Sequence, residues 1–281
     1  MAQPDALTWL GPPPPARPAR VVSLVPSLTE WLAALGMDRE TVGVTRFCVH
    51  PAGWKARKTI VGGTKNVDVE RTLALRPDVV VASREENVRD QVEALAAAGV
   101  SVALTDIATV GGALATLRAL ADALGRGAEG ARLADGIAGR FRALAEGGSA
   151  EGGSAEGGSA EGARPRVLYL IWREPWMAAG GDTYISDVLA HGGLDNVLAT
   201  RDRYPALADG DLAALRPDAV LLSSEPYPFA ETHRAEVQRR APDARVLLVD
   251  GEAFSWYGPR MASAPAALAA VRRALAVPNG A

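Results

Sequence analysis

The feature that most constrains this chain is a repeat: LALRPDVVVASREEN at residues 73–87 returns as LAALRPDAVLLSSEP at residues 212–226. Internal similarity of this kind implies two copies of one supersecondary plan. In each copy an Arg-Pro-Asp turn separates a helix end from an apolar run, residues 79–82 and 219–222. A short continuous apolar run bounded by turn residues fits a strand covered on both faces, as in parallel sheets.

The flanking sequence extends the parallel. Residues 20–25 and 166–171 are apolar runs rich in β-branched residues, each followed by a helical stretch. The first, SLTEWLAALGM, has Ser27 or Thr29 as candidate N-cap, and the second, DTYISDVLAHGG, has Asp182 or Thr183. After the repeated strand, the first copy reads as a helix at 88–98, a stop at Gly99 and a strand at 100–105. The second copy reads as a helix at 231–240 and a strand at 245–250. Strand–helix alternation of this kind gives a doubly wound α/β lobe each time.

Between the copies, helical segments at 109–124 and 128–146 are separated by Gly125 and Gly127. The second is periodic in Leu133, Ile137, Phe141 and Leu144, an apolar face suited to a stiff link. Tandem EGGSA units follow, made of Gly, Ser, Ala and Glu alone, which cannot bury a core. The expected fold is therefore α/β: two similar doubly wound lobes joined by a single long helix, with a ligand cleft between them. Its expected divisions are a disordered segment at 1–19, an N-terminal lobe at 20–126, the linking helix at 127–146, a flexible insert at 147–163, a C-terminal lobe at 164–276 and a tail at 277–281.

Composition removes several function classes. With 48% hydrophobic residues in 281, there is material for two cores. A formal net charge of −3, with both signs interspersed, argues against a nucleic-acid partner. Cys48 is the only cysteine, so no internal disulfide and no cysteine-based zinc or iron–sulfur site is expected. No apolar run reaches the roughly 18 residues of a membrane span. The first twenty residues lack a basic n-region, an adequate apolar stretch and a lipobox cysteine, so no export signal or lipid anchor is expected in the chain as written. There is no GxSxG elbow, Walker A loop or GxGxxG, and Gly62-Gly63-Thr64-Lys65 lacks the spacing of a phosphate loop. The expectation is a binding protein without catalysis and without a cofactor of its own.

An ordered set of strings carries a resemblance: VVSLVPSLTEWLAALG, VGVTRFCVHP, VGGTKNVDVERTLALRPDVVVAS, WMAAGGDTYISDVLAHGGLDNVL and GEAFSWYGPRMASAPAAL. Over residues 20–275 the chain resembles the class III substrate-binding proteins of ABC uptake systems, the helical-backbone receptors for cobalamin and iron-siderophores. The resemblance implies a monomer that captures a bulky metal-containing ligand, a corrinoid such as cobalamin or a ferric siderophore, whose metal is cobalt or iron. It implies delivery to a membrane permease with its ATPase, from a periplasmic or other extracytoplasmic location. It also implies a docking glutamate on each lobe, with Glu85 and Glu86 available on the first and Glu231 on the second; where the family pattern places the first of these, this chain has Arg89 and Asp90. The alternative is a cytoplasmic corrinoid- or metal-handling protein on the same fold, suggested by the missing export signal.

Ligands of doubly wound sheets bind outside the carboxyl ends of the strands. In the loops expected there lie Pro26 and Ser27 and most of the aromatic residues, which make up only 5% of the chain. Phe47, Trp54, Trp172, Trp176, Tyr227, Phe254, Trp256 and Tyr257 are the candidate faces for a planar ligand. Lys65, Arg84, Arg173 and Arg260 are candidate partners for an anionic group. His50 is a candidate metal contact, either on the ligand's metal or in a direct site with Cys48 and loop carboxylates. His191 reads as a helix C-terminal partner and His233 as a surface residue.

Overall fold

The computed structural model describes residues 7–150 and 164–277, and the chain divides into two compact units. Unit 1 comprises 1–107, 111–136 and 257–259, and unit 2 comprises 108–110, 137–256 and 260–281.

Unit 1 is built in the order β1 (Leu7–Leu10), β2 (Val21–Ser23), α1 (Pro26–Ala34), β3 (Thr41–Val44), α2 (Trp54–Arg57), β4 (Thr59–Ile60), α3 (Val69–Ala74), β5 (Val79–Ser83), α4 (Arg89–Ala97), β6 (Ser101–Thr105) and α5 (Val110–Ala123). Its sheet runs β1-β6-β5-β2-β3-β4, parallel throughout except that β1 lies antiparallel on β6. Val22, Val80 and Val102 from adjacent strands pack with Val92 and Leu95 of α4, which is why the central strands read as unbroken apolar runs. Helix α6 (Gly127–Ala150) starts in unit 1 and belongs to unit 2 from residue 137.

Unit 2 continues with β7 (Arg166–Trp172), β8 (Trp176–Ala178), α7 (Tyr184–His191), β9 (Asp195–Asn196), β10 (Ala206–Leu207), α8 (Asp211–Ala214), β11 (Ala219–Ser223), α9 (Glu231–Arg240), β12 (Arg245–Val249), α10 (Gly251–Ser255), a 3-10 turn (Pro259–Ala262) and α11 (Ala264–Ala276). Its sheet runs β10-β8-β7-β11-β12, with β9 pairing on β7. The strands β7, β11 and β12 are parallel, as the repeat implies, but β8 and β10 are antiparallel. The second sheet is thus mixed.

The repeat is visible atom by atom. Arg76 and Arg216 both adopt left-handed backbone, with φ of 47° and 48°. The Asp78 carboxylate accepts from the backbone N–H groups of Ala19 at 2.7 Å and Arg20 at 2.9 Å, and Asp218 accepts from that of Arg166 at 2.7 Å. Arg20 Nε donates to the Leu75 carbonyl and Arg166 Nη2 to that of Leu215. Each Arg-Pro-Asp turn therefore ties the start of its unit's first parallel strand to the end of the preceding helix.

Several expectations are corrected. Within 1–19, residues 7–10 form an edge strand on β6, Pro18 is buried and the Pro12 carbonyl takes the Ser101 hydroxyl, so from residue 7 onward the segment is ordered; residues 1–6 lie outside the described residues. Neither Ser27 nor Thr29 caps α1. Val25 is its N-cap, Pro26 occupies the first turn, where a missing N–H costs nothing, and Thr29 turns its hydroxyl back to the Val25 carbonyl at 2.9 Å. Thr183 does cap α7, accepting from Ser186 N–H. The linking helix runs on to Ala150, into the expected insert, whose residues 151–163 lie outside the described residues, as do 278–281. No helix among the described residues is long and apolar enough to cross a membrane.

Candidate functional site

In unit 1 the carboxyl ends of β2, β3, β4 and β5 open onto loops that are cross-braced from below. The Cys48 thiol is buried, receives the Thr29 hydroxyl at 3.0 Å and lies 3.2 Å from that of Thr45; burial pushes its pKa up, so it stays a neutral thiol. That anchor fixes the loop after β3 against α1 and leaves its other side chains outward. Arg46 and Val49 are exposed, and Phe47 is 53% exposed. Gly63 lets the Phe47 ring approach, since a Cβ there would press on the ring and on Asn66.

Asn87 is the second brace. Its side chain accepts from Ser83 N–H at 2.8 Å and donates to the carbonyls of Thr64 at 3.1 Å and Leu24 at 3.3 Å. One buried amide thus joins three strand-end loops. Lys65 reaches across to the Glu85 carbonyl at 2.7 Å, and the Ser83 hydroxyl is 3.3 Å from that of Tyr257.

Unit 2 repeats the serine. Ser223 ends β11 as Ser83 ends β5, accepts from Glu225 N–H, and takes the Tyr169 hydroxyl at 3.1 Å. Gly251 is required opposite, because a Cβ would collide with Ser223 Oγ and Glu225 Cγ. The half-buried Glu225 carboxylate accepts the Ser255 hydroxyl at 2.6 Å, and burial, with Glu252 and Asp250 nearby, raises its pKa above the usual glutamate value. At the end of β7, Trp172 is 40% exposed and stands edge-on to Tyr227, ring centres 5.6 Å apart. Tyr227 in turn contacts Phe229 and His233.

Unit 2 also has an open cleft of about 410 Å³ lined by Arg173, Trp176, Asp209, Glu236, Arg240 and neighbours. Its charges are matched internally. Arg173 grips Glu236 through two bonds of 3.0 and 3.2 Å, and Arg240 lies 3.1 Å from Asp209 and 3.3 Å from Glu236. Trp176 donates to Asp209 at 2.7 Å and stacks on Phe229. Such a closed network holds β8 against α9.

A profile described as periplasmic binding protein matches residues 21–241. The chain belongs to the periplasmic binding protein family. A vitamin B12-binding protein of Pectobacterium carotovorum subsp. carotovorum (strain PC1) is 27% identical over 251 residues, 88% of this chain and 85% of that protein. Among solved structures, the periplasmic vitamin B12 binding protein BtuF of Vibrio cholerae matches with a TM-score of 0.79 at 18% identity, covering 93% of this chain and 99% of its own, a likeness of fold. A periplasmic heme binding protein from Pseudomonas aeruginosa matches with a TM-score of 0.74 at 28% identity, covering 90% and 92%. The α/β fold with two similar units expected from the sequence is the one found.

The strand-end loops leave some of the candidate side chains accessible. Phe47, Trp172, Lys65 and Arg84 are exposed, and His50 and Tyr227 are half-buried. Arg84 lies 3.5 Å from Asp106. Seven other candidates are buried. Pro26 and Ser27 are inside the first turn of α1, Trp54 packs under Lys58, Trp176 is fixed as above, and Phe254 lies against Tyr169 without exposed surface. Trp256, with the Arg260 guanidinium over its ring, and Tyr257 are also buried. These rings support the loops rather than offering open faces. Arg173 and Arg260 are committed to Glu236 and Glu252.

The direct metal site drawn from His50, Cys48 and carboxylates is not formed, because Cys48 is engaged by two threonines; among the described residues no three His, Cys, Asp or Glu side chains gather for a metal. Glu85 and Glu86 are half-buried in the loop after β5, and Glu231 opens α9, exposed and 3.2 Å from Arg234. His233 is half-buried among aromatic rings rather than on the open surface. Sequence reasoning placed it on the surface and did not single out Asn87. For Asn87 the signal was present: an amide between a buried strand and the first residue of a helix.

Proposed function

We propose that this periplasmic binding protein captures a bulky ligand built on a planar, metal-bearing ring, of the corrinoid or haem class, with ferric siderophores as a further candidate, and delivers it to an ABC permease and its ATPase from an extracytoplasmic location. The observation that carries the reading is the exposure of large aromatic side chains at strand ends. Phe47 in unit 1 and Trp172 in unit 2 are exposed although each adjoins a residue held by side-chain hydrogen bonds, Cys48 by Thr29 and Arg173 by Glu236. Leaving such surface wet forgoes about 25 cal/mol per Å², which a flat ligand recovers when it covers the ring. The exposed basic groups Arg46, Lys65 and Arg84 lie on the same loops of unit 1 and suit carboxylate or phosphate groups at the ligand's edge. Relatives that bind vitamin B12 and heme support the ring class. His50 is the accessible imidazole on these loops and is the proposed contact for an open metal face.

Glu85, Glu86 and Glu231 are the proposed docking acids. Titration of the purified chain with cyanocobalamin, hemin and a ferric siderophore, followed by calorimetry and tryptophan quenching, tests the reading. Binding of one of the three, lost on Trp172→Ala, is expected; no heat and no quenching with all three would overturn it.

A further inference from the structure

We infer that His233 is a positioning residue for the ligand face of unit 2, holding the Tyr227 phenol in one hydrogen-bonding state beside Trp172 and so favouring ligands with a hydrogen-bond acceptor at the ring's rim. Only its statement about ligands rests on the function proposed above.

The backbone N–H of Ala230 donates to His233 Nδ1 at 3.0 Å. A ring nitrogen that accepts carries no hydrogen, so the neutral imidazole is fixed as the Nε2–H tautomer. Nε2 lies 3.1 Å from Tyr227 Oη and is therefore the donor in that bond. The phenol oxygen is thereby the acceptor. The phenol's own hydrogen is left for another partner, which must accept.

The same imidazole sets where the phenol sits. Tyr227 is enclosed by His233, Phe229 and Trp172 at ring separations of 5.3, 4.8 and 5.6 Å.

The first experiment needs no ligand. In the uniformly 15N-labelled full chain, with His233 assigned by its loss in His233→Asn, long-range 1H–15N correlation at pH 7.5 should show a fixed Nε2–H tautomer. A protonated Nδ1, or a rapidly averaging mixture, overturns the inference. The second compares hemin and cyanocobalamin affinities at pH 7.5 for wild type, His233→Asn, Tyr227→Phe and the double variant. Each single variant should bind about fivefold more weakly, the scale of one net hydrogen bond. The double variant should be no weaker than Tyr227→Phe alone; additive losses overturn the inference. If neither compound binds wild type at all, the function proposal fails, and the tautomer alone decides this one.

Discussion

Arg76 and Arg216 hold the same left-handed backbone because the Arg-Pro-Asp turn must reverse the chain before a strand while its aspartate reaches the neighbouring strand's N–H. The recurrence of LRPD is what made this turn legible. Ring placement was less so: Trp172 and Trp176 lie four residues apart in one loop-like string, and only the antiparallel pairing of β8 decides that Trp176 turns inward. On its other side Trp176 pairs with Leu207 of β10, a partner too distant in sequence to leave a local trace. At Glu225 a sign can be assigned to the pH dependence. Its pKa in the fold is raised above the usual 4.5 by burial and by neighbouring acids, so between 4.5 and the raised value the folded state keeps a proton that the unfolded state has released. Stability from this group is therefore greatest below that window and declines as pH rises through it. Glu225→Gln keeps an acceptor for Ser255 and removes the charge. Urea denaturation should find the variant more stable than wild type at pH 7 and indistinguishable near pH 4.

Among the elements, α7 and β1 are informative for opposite reasons. The Thr183 cap was readable because threonine ahead of an apolar-periodic run is a local signal, and its side chain does bond Ser186 N–H. Thr183→Ala should cost about 1 kcal/mol in denaturation experiments. Strand β1 was not readable. LTWL sits against a run of prolines, and it becomes a strand only by pairing, Leu7 with Thr105 through Leu10 with Val102. Its contribution is to cover the β6 edge, with Leu10 packed on the unit 1 core. A chain lacking residues 1–10 should melt at lower temperature and scatter more light on warming, because an unpaired strand edge recruits other chains. An unchanged melting point and clear solution would show that the edge needs no cover.

For the molecule as a whole, the duplicated segments correctly indicated two α/β units, while the mixed sheet of unit 2 and the assignment of residues 257–259 to unit 1 were beyond local reading. If the chain binds as proposed, free ligand at a hundred times its Kd should raise the unfolding free energy by about 2.7 kcal/mol, measurable as a shift in the denaturant midpoint. The assignment of Tyr257–Pro259 also bears on the order in which the molecule can be made. During synthesis the residues of unit 1 leave the ribosome first, yet β1 waits for residues 102–105, and the Ser83 hydroxyl waits for Tyr257. The unit begun first is thus completed only after most of unit 2 has been made, and a nascent chain has an incomplete amino-terminal half until residue 257 has been translated.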